Sequence, residues 1–536
     1  MTRDAAQSGS RGGPSRRRFI GLAAAAAAIP VAACSGENPG PAHAKKASDA
    51  AKRPAPKKIV SENSLPGDPN WNITNQGAPN AMLGYAGQAS VLPGEPITLY
   101  ASTTASSFQV RAYRMGWYNG DLARLLYTSP STAGAQQPAP TVIGGTNTVE
   151  CNWQPSLTIP TDNWPEGSYL LRMDSDAGQR FVPITVRSAG TAGKIVIKNS
   201  VETWQAYNTF GGYDLYNGPG GAADYSNRSL AVSLDRPYDN NGAFYFLYHE
   251  LRLIIVAEQS GLPLAYTTSM DVAADPNLLK GASAFFALGH DEYWTPEERT
   301  YVTAARDAGT NVAFLGANTC FRRTRLDSTQ LGANRLVICY KTSYTEDPLY
   351  GKDDALVTND YREPPDPNPE SSLTGVLYES NPVDAAYVVA SPNSWIFANT
   401  GVQQGSSFTG LVGIEYDRVN PVYPVPRPIE VLSHSPLTCR GVNSYSDSAY
   451  YTTSSGAGVF ASGTMRWVQS MGNSYGFGMN QQVWNFTIQV SKNLLHAFAD
   501  GPAAAKYPAN DNLDQMQEWP GDPVAAGHNL WPPVVI

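Results

Sequence analysis

Strands and helices alternate along residues 194–315, and this alternation limits the fold more than any other feature of the sequence. Apolar runs of strand length occur at residues 194–198, 263–267, 284–288 and 311–315. Helical periodicity fills two of the gaps, at residues 244–259 and 296–308. Such alternation predicts a doubly wound parallel sheet that is covered by helices, so an α/β fold is expected here.

Residues 59–188 show a different pattern, in which short alternating strands are separated by Gly and Pro. The clearest of these strands are at residues 97–101, 108–113, 168–173 and 181–186. This pattern predicts an all-β domain, an immunoglobulin-like β-sandwich. We therefore expect the sandwich at residues 59–188 and the α/β domain at residues 189–536. Residues 321–455 lose the strand–helix rhythm and are predicted to be a loop-rich insertion in the second domain.

The first 58 residues have the pattern of an export signal and a tether. Arg16 and Arg17 precede a weakly apolar stretch, which is typical of a twin-arginine signal within residues 1–34. The stretch ends in Val-Ala-Ala before Cys34, which resembles a site of lipid attachment; the alternative is a plain cleaved signal. Residues 35–58 have no periodicity and predict a disordered tether. The expected location is therefore outside the cytoplasm, with a lipid on Cys34 as membrane anchor or with the protein released.

Charge excludes one class of partner. The sequence has 38 basic and 46 acidic residues, and 27 basic and 43 acidic ones remain when residues 1–58 are left out. An acidic body argues against binding to nucleic acid.

Cysteine usage is compatible with disulfide bonds in an exported protein. Four cysteines follow Cys34, and four cysteines allow three pairings. Cys320 with Cys339 is the favoured pair, because one follows a predicted strand and the other ends the next. No CxxC spacing that would indicate a zinc site is present.

Polar and aromatic residues follow three of the predicted strands. The third strand runs directly into His290, Asp291 and Glu292, followed by Tyr293 and Trp294. The carboxyl ends of parallel strands meet at one edge of a sheet, where ligands bind. Single residues of this kind are often helix caps or core side chains. The convergence of three turns nevertheless favours a functional site.

The candidate residues fall into two groups. Side chains suited to acid–base chemistry are His290, Asp291, Glu292 and Asn318. Side chains suited to binding a substrate are Trp204, Tyr207, Asn208, Arg236 and Trp294. No GxSxG elbow, HExxH motif or Walker loop is present, so the common nucleophile and metalloprotease patterns are excluded.

Several motifs resemble those of the N,N-dimethylformamidase beta (large) subunit family. They are residues 113–118 (YRMGWY), 203–208 (TWQAYN), 236–238 (RPY), 289–294 (GHDEYW) and 316–318 (GAN). The resemblance covers most of residues 65–500. It implies an N-terminal sandwich and a domain that resembles class I glutamine amidotransferases. It also implies hydrolysis of a small formamide at one iron ion held by two tyrosines and one glutamate.

Carried over to this chain, the resemblance suggests Tyr293 and Glu415 as iron ligands. For the second tyrosine, Tyr340 is the candidate, because the turn after Asn318 lacks a tyrosine. Phenolate and carboxylate are hard oxygen ligands that suit Fe(III).

Two functions of different classes are compatible with the sequence. The first is an exported, lipid-anchored hydrolase that cleaves a C–N bond in a small amide with the assistance of a metal ion. Such a hydrolase would form a homo-oligomer or bind a small partner subunit. The alternative is a non-catalytic surface protein that binds a carbohydrate or cell-wall ligand. Its stacking platforms would be Trp117, Trp204 and Trp294.

Replacing Arg16 and Arg17 by Lys is expected to leave the precursor in the cytoplasm, because the arginine pair is what the export machinery reads. Cys34→Ala is expected to release the protein from membranes without changing its fold. Fractionation followed by immunoblotting measures both. A Cys34→Ala protein that stays in the membrane fraction at high salt contradicts the lipid anchor.

Overall fold

The computed structural model describes residues 62–472 and 479–518. The predicted signal, the tether and Cys34 lie outside these residues. The first part of the described chain is all-β, with strands β1 Met82–Ala86, β2 Ser90–Val91, β3 Ile97–Thr103, β4 Ser107–Met115, β5 Ala123–Thr128, β6 Thr132–Ala133, β7 Thr141–Ile143, β8 Thr148–Glu150, β9 Leu157–Ile159, β10 Gly167–Asp174 and β11 Gln179–Val186.

The remainder mixes strands and helices. Its strands are β12 Ile195–Asn199, β13 Ala231–Ser233, β14 Leu264–Thr268, β15 Ala284–Gly289, β16 Tyr293–Trp294, β17 Asn311–Gly316, β18 Arg322–Arg323, β19 Arg325–Thr329, β20 Gly332–Ile338, β21 Leu377–Val388, β22 Ser407–Arg418, β23 Ile429–Cys439, β24 Val442–Thr452 and β25 Gly458–Ala461. Its α-helices are α1 Val201–Ala206, α2 Phe244–His249, α3 Leu251–Gln259, α4 Ser269–Ala274, α5 Pro296–Asp307, α6 Ser371–Thr374, α7 Arg466–Gln469 and α8 Gln481–Ala499. None of the described helices has the length and apolar character needed to span a bilayer.

Two sheets form the core of the N-terminal part, and β7 and β8 form a separate two-stranded sheet. One has the strand order β1-β3-β9, and the other has the order β2-β11-β10-β4-β5. Apolar side chains of β3, β4, β10 and β11 alternate inward and fill a common core. Each of the four strands predicted from the sequence is present here. The immunoglobulin-like topology and the boundary at residue 188 stay predictions.

The central sheet has seven strands in the order β14-β12-β15-β17-β25-β24-β23. The first five are parallel to their neighbours, whereas β24 and β23 are antiparallel. The alternation of strands and helices therefore predicted the parallel part of the sheet. The chain as a whole is a mixed α/β protein, rich in strands, and the likeness to glutamine amidotransferases stays a prediction.

Residues 321–455 differ from the loop-rich segment that was predicted. They contain β21, β22, β23 and β24, of 11 or 12 residues each, and the last two extend the central sheet. Register shifts interrupt the pairing of β21 with β22 and of β23 with β24. Such bulges break the period of two by which a strand is recognised in a sequence.

The predicted disulfide bond is absent. Cys320 and Cys339 are both free, buried thiols, so the pairing prediction was wrong. Cys320 Sγ lies 3.2 Å from Nη1 of Arg299 on α5. Cys339 follows β20, which belongs to a separate sheet with β13 and β19. The two cysteines are therefore close in sequence but face different elements.

A buried ion pair joins β4 to α3. Arg114 donates through Nη2 to Oε1 of Glu258 at 2.6 Å, and the two side chains are 2% and 0% exposed. Arg114 also donates through Nε to the backbone oxygen of Glu166 and through Nη1 to Tyr118. This explains part of the YRMGWY motif, because Arg114 and Tyr118 belong to it. The motif therefore ties β4 of the N-terminal part to helix α3.

Arg114→Met is expected to lower the free energy of unfolding by about 3–5 kcal/mol, because it leaves the Glu258 carboxylate buried without its cation. Chemical denaturation measures the loss. The matched control is Arg111→Met, three residues earlier on β4, where the arginine of the ion pair with Asp174 is 36% exposed. That change is expected to cost about 0–1 kcal/mol. Equal losses in the two variants would contradict a special role for the buried pair.

Candidate active site

Two glycines determine the shape of the sheet edge where β15 and β17 end. Gly289 has a φ of +57°, and a Cβ atom there would lie 2.2 Å from the backbone oxygen of His249. A Cβ atom at Gly316 would lie 1.6 Å from the backbone oxygen of Gly289. Only glycine fits at either position. The two strand ends therefore lie against each other, and the turns that follow them reach the same place.

A carboxylate and two phenols converge just beyond this edge. Tyr207 donates its O–H to Glu292 Oε2 at 2.5 Å, and Tyr216 donates to Glu292 Oε1 at 2.8 Å. The two phenol oxygens are 3.0 Å apart. Arg322 Nε lies 3.3 Å from Oε1, and Tyr293 donates to the Tyr216 oxygen at 2.8 Å. We call Tyr207, Tyr216 and Glu292 the tyrosine–glutamate centre.

The charges at this centre differ between the phenols and the carboxylate. Burial, and after it the Glu292 carboxylate, raises the pKa of Tyr207 and of Tyr216 well above the usual value. Burial alone would raise the pKa of Glu292, but the neighbouring His290 and Arg322 hold it below its usual value. At neutral pH the centre is thus one carboxylate with two protonated phenols. A metal cation would release the phenol protons, since bound ligands are deprotonated.

Lys341 lies against the centre. Its Nζ is 3.0 Å from the ring centre of Tyr216 and 5.4 Å from that of Tyr293. Within the described residues Nζ has no hydrogen-bond partner. Burial and the Arg322 charge lower the pKa of Lys341 well below its usual value. The neighbouring residue, Tyr340, was the suggested candidate for the second tyrosine ligand. Its backbone N–H donates to the Thr358 hydroxyl, and its neighbour Lys341 is the residue that lies against the centre.

A second carboxylate, that of Glu415, lies across His290. Glu415 Oε2 accepts a hydrogen bond from Asn318 Nδ2 at 3.0 Å, and Oε1 accepts one from Asn381 Nδ2 at 3.2 Å. Burial and the nearby Glu292 charge raise the pKa of Glu415 to about 8. The Asn318 backbone N–H donates to Asp417 Oδ1 at 2.7 Å. The asparagine turn after β17 therefore positions this carboxyl group.

His290 bridges the two carboxylates. Its Nε2 lies 3.5 Å from Glu292 Oε2, and its Nδ1 lies 3.8 Å from Glu415 Oε2. Burial lowers the pKa of His290, so the ring is neutral at neutral pH. Among the described residues, neither His290 Nδ1 nor Asn318 Oδ1 has a hydrogen-bond partner. These two buried polar atoms are available to a small polar molecule.

Asp291 and Trp294 lie on the other side of the same segment. Asp291 pairs with Lys198 of β12 at 2.7 Å, and Lys198 also pairs with Glu298 of α5 at 2.5 Å. Trp294 is fully buried and donates its indole N–H to the backbone oxygen of Asp291. The structure therefore does not bring these two predicted site residues to the centre. They belong to a buried network that packs α5 against the sheet.

Three predicted substrate-binding residues also make structural contacts instead. Trp204 donates to Glu250 at 2.8 Å, and Asn208 donates to the backbone oxygen of Pro237 at 2.9 Å. Arg236 donates to the backbone oxygens of residues 210 and 213, and thereby holds the loop between Tyr207 and Tyr216. Of the five predicted substrate-binding residues, only Tyr207 lies at the centre.

Four residues of the site were not among the predicted ones. They are Tyr216, Arg322, Lys341 and Asn381. Tyr216 follows Tyr207 by nine residues in a loop without periodicity, so no pattern marks it. Arg322 follows the fourth predicted strand, so its position near the carboxyl edge of the sheet could have marked it as a candidate site residue. Lys341 and Asn381 come from the segment predicted to be loop-rich.

The donor set has the chemistry of a hard-cation site. Within the described residues, no group of three or more His, Cys, Asp or Glu side chains is placed to hold a metal ion. The tyrosine–glutamate centre instead supplies the buried Glu292 carboxylate and the phenol oxygens of the half-buried Tyr207 and Tyr216, all within hydrogen-bond distance of one another. Phenolate and carboxylate oxygens suit Fe(III).

Comparison with protein families decides the relationship of the chain. A family model described as "N,N-dimethylformamidase beta subunit-like, C-terminal" matches residues 109–478. The chain belongs to the N,N-dimethylformamidase beta subunit-like family. The resemblance predicted from the motifs is thereby confirmed, and membership indicates a dimethylformamidase-like hydrolase. No curated protein matches the chain.

The resemblance implied two tyrosines and one glutamate as ligands, and the tyrosine–glutamate centre contains these residue types. The prediction had placed them at Tyr293 and Glu415. In the structure Tyr293 donates to Tyr216 and Glu415 bonds to Asn318 and Asn381. Tyr207, Tyr216 and Glu292 are therefore the two tyrosines and the glutamate whose oxygens lie within hydrogen-bond distance of one another.

Asp291→Asn and Glu292→Gln are expected to differ in their effect on stability. Asp291→Asn weakens the buried pair with Lys198 and is expected to cost about 1.5–3 kcal/mol, the value of a hydrogen bond to a charged group. Glu292→Gln keeps the shape of the side chain, and Arg322 keeps its partner Asp360. It is expected to cost about 1 kcal/mol or less. Thermal melts of the two metal-free proteins measure the difference in stability. A larger loss of stability in Glu292→Gln than in Asp291→Asn would contradict a structural role for Asp291 and a site role for Glu292.

Proposed function

We propose that the chain is an exported hydrolase of the C–N bond in a small amide, acting at an iron ion held by the tyrosine–glutamate centre. The observation that carries the proposal is the convergence of Tyr207, Tyr216 and Glu292 in a member of this family. His290, Glu292 and Asn318 are buried here, which favours a substrate of a few atoms, such as N,N-dimethylformamide. Export and the lipid on Cys34 are part of the proposal and rest on the sequence.

A bound iron ion would polarise the amide carbonyl and lower the pKa of an attacking water molecule. Arg322 and Lys341 would hold positive charge or donor atoms beside the ligands, because both lie against the centre. The phenols and the carboxylate would exclude soft metals by their hard oxygen character. These residues thus prepare the site for one cation and one small neutral molecule.

His290 and Glu415 have the properties of a base and an acid. The neutral His290 takes a proton from water as the water oxygen bonds to the carbonyl carbon. Glu415, protonated below its pKa of about 8, donates a proton to the nitrogen as the C–N bond breaks. The products are an amine and a carboxylic acid, and Asn318 holds Glu415 in place through its Nδ2.

Two of the three tryptophans proposed to stack on a carbohydrate in the alternative function are buried. Trp204 is 4% exposed and Trp294 is 0% exposed, so neither offers a face to a sugar. The hydrolase is therefore the better-supported function for this edge of the sheet.

Tyr207→Phe, Tyr216→Phe and Glu292→Gln are expected to lower iron affinity by more than the about 10–100-fold that a second-shell change costs, because each removes a ligand. Metal analysis after iron loading measures this. His290→Ala is expected to retain iron and to lose release of dimethylamine from N,N-dimethylformamide by about 100-fold or more.

Tyr293→Phe and Glu415→Gln are the matched controls, since they remove the same group types beside the centre. Both are expected to keep most of the iron. If these two variants lose the ion while Tyr207→Phe and Tyr216→Phe retain it, the ligand set proposed here is wrong. If the iron-loaded protein releases no amine from any small formamide, the hydrolase function is wrong.

A further inference from the structure

A second concave surface lies between the sandwich and the loop that joins Tyr207 to Tyr216. It is a cleft of about 770 Å³, within the range of small-molecule sites. Phe210 and Gly211 of that loop line it, together with Tyr238. We call it the Arg180 cleft, after the arginine of β11 that lines it. None of the three residues of the tyrosine–glutamate centre lines this cleft.

Arg180 presents to the cleft a guanidinium group that makes no ion pair with any described residue. The residue is 8% exposed, and its Nε donates to the backbone oxygen of Met82 at 3.0 Å. Its two terminal nitrogens have no hydrogen bond or ion pair with any described residue. A guanidinium cannot lose its proton under ordinary conditions, so it stays charged. An arginine held in this way is suited to an anion that approaches through the cleft.

The Asp239 carboxylate also lines the cleft, and its charge acts on Arg180, but its oxygens bond to other groups. Asp239 Oδ2 accepts hydrogen bonds from the backbone N–H and the hydroxyl of Thr209, at 3.0 and 2.5 Å. Its Oδ1 accepts one from Asn240 at 2.9 Å. The Asp239 carboxylate is thus used to hold the loop end beside Phe210. It makes no ion pair with Arg180 among the described residues.

The rest of the cleft supplies an apolar face and free amides. The rings of Phe210 and Tyr238 line it. The side chains of Gln76, Asn80 and Gln136 also line it, are exposed, and have no protein partner within the described residues. Amides both donate and accept hydrogen bonds. A matching ligand therefore carries one carboxylate, a ring with an apolar face, and several hydroxyl groups.

We propose that the Arg180 cleft binds an acidic sugar. The carboxylate of a uronic acid pairs with the terminal nitrogens of Arg180, and the sugar ring lies against Phe210 or Tyr238. The hydroxyl groups bond to the amides of Gln76, Asn80 and Gln136. A simple carboxylic acid would make no use of these three amides, and a neutral sugar would make no use of the guanidinium charge. The proposal is independent of the function proposed for the tyrosine–glutamate centre.

Titration calorimetry with trigalacturonate tests the proposal, using the full mature chain. Binding of trigalacturonate is expected, and its methyl ester, which keeps the rings and removes the charge, is expected to bind about 10–100-fold more weakly. Arg180→Gln is expected to weaken binding of trigalacturonate by a similar factor while leaving hydrolase activity unchanged. Arg111→Gln, on β4 of the same sheet, is the matched arginine control and is expected to bind normally.

Two further variants keep the test decisive if Arg180→Gln does not fold. Phe210→Ala and Asn80→Ala change exposed or half-buried residues of the cleft, and each is expected to weaken binding by about tenfold. Glu292→Gln, outside the cleft, is expected to bind trigalacturonate as the unchanged protein does. Absence of binding, equal binding of the methyl ester, or preference for a tripeptide carboxylate over trigalacturonate would overturn the proposal.

Discussion

The close contact of Gly289 with Gly316 is the constraint on which the functional site depends. The backbone oxygen of Gly289 occupies the place of a side chain at Gly316, so the ends of β15 and β17 lie directly against each other. The turn after β15 then delivers His290 and Glu292, and the turn after β17 delivers Asn318, to one small volume. A side chain at either glycine would separate the turns and with them the two carboxylates.

Burial gives this volume its chemical character. Glu292 stays charged because His290 and Arg322 offset its burial, whereas Glu415 has a pKa raised to about 8 by burial and by Glu292. Two carboxyl groups with one histidine between them therefore hold different protonation states. The phenols of Tyr207 and Tyr216 add oxygen ligands without adding charge until a cation binds. The same few residues can thus hold a hard metal ion and move protons beside it.

The segment HDEYW serves two purposes, which explains its concentration of polar and aromatic residues. His290, Glu292 and Tyr293 contribute to the site, whereas Asp291 and Trp294 join Lys198 and anchor α5 to the sheet. Residues that stabilise the fold and residues of the candidate site are therefore interspersed within these five positions. A similar division occurs in the loop from Tyr207 to Tyr216, where the buried Arg236 holds the backbone and the tyrosines reach the centre.

The sequence by itself determined the parallel strands β12, β14, β15 and β17, the helices α2, α3 and α5 between them, and the family, and it directed attention to the turn at residues 290–292 as a candidate site. These features depend on local periodicity and on short motifs, which a single sequence displays. Only the tertiary structure decided which side chains meet. Tyr216 and Lys341 come from segments without periodicity, and Cys320 and Cys339 face different elements although few residues separate them. Contacts between distant segments depend on packing and register, for which the local pattern carries no signal.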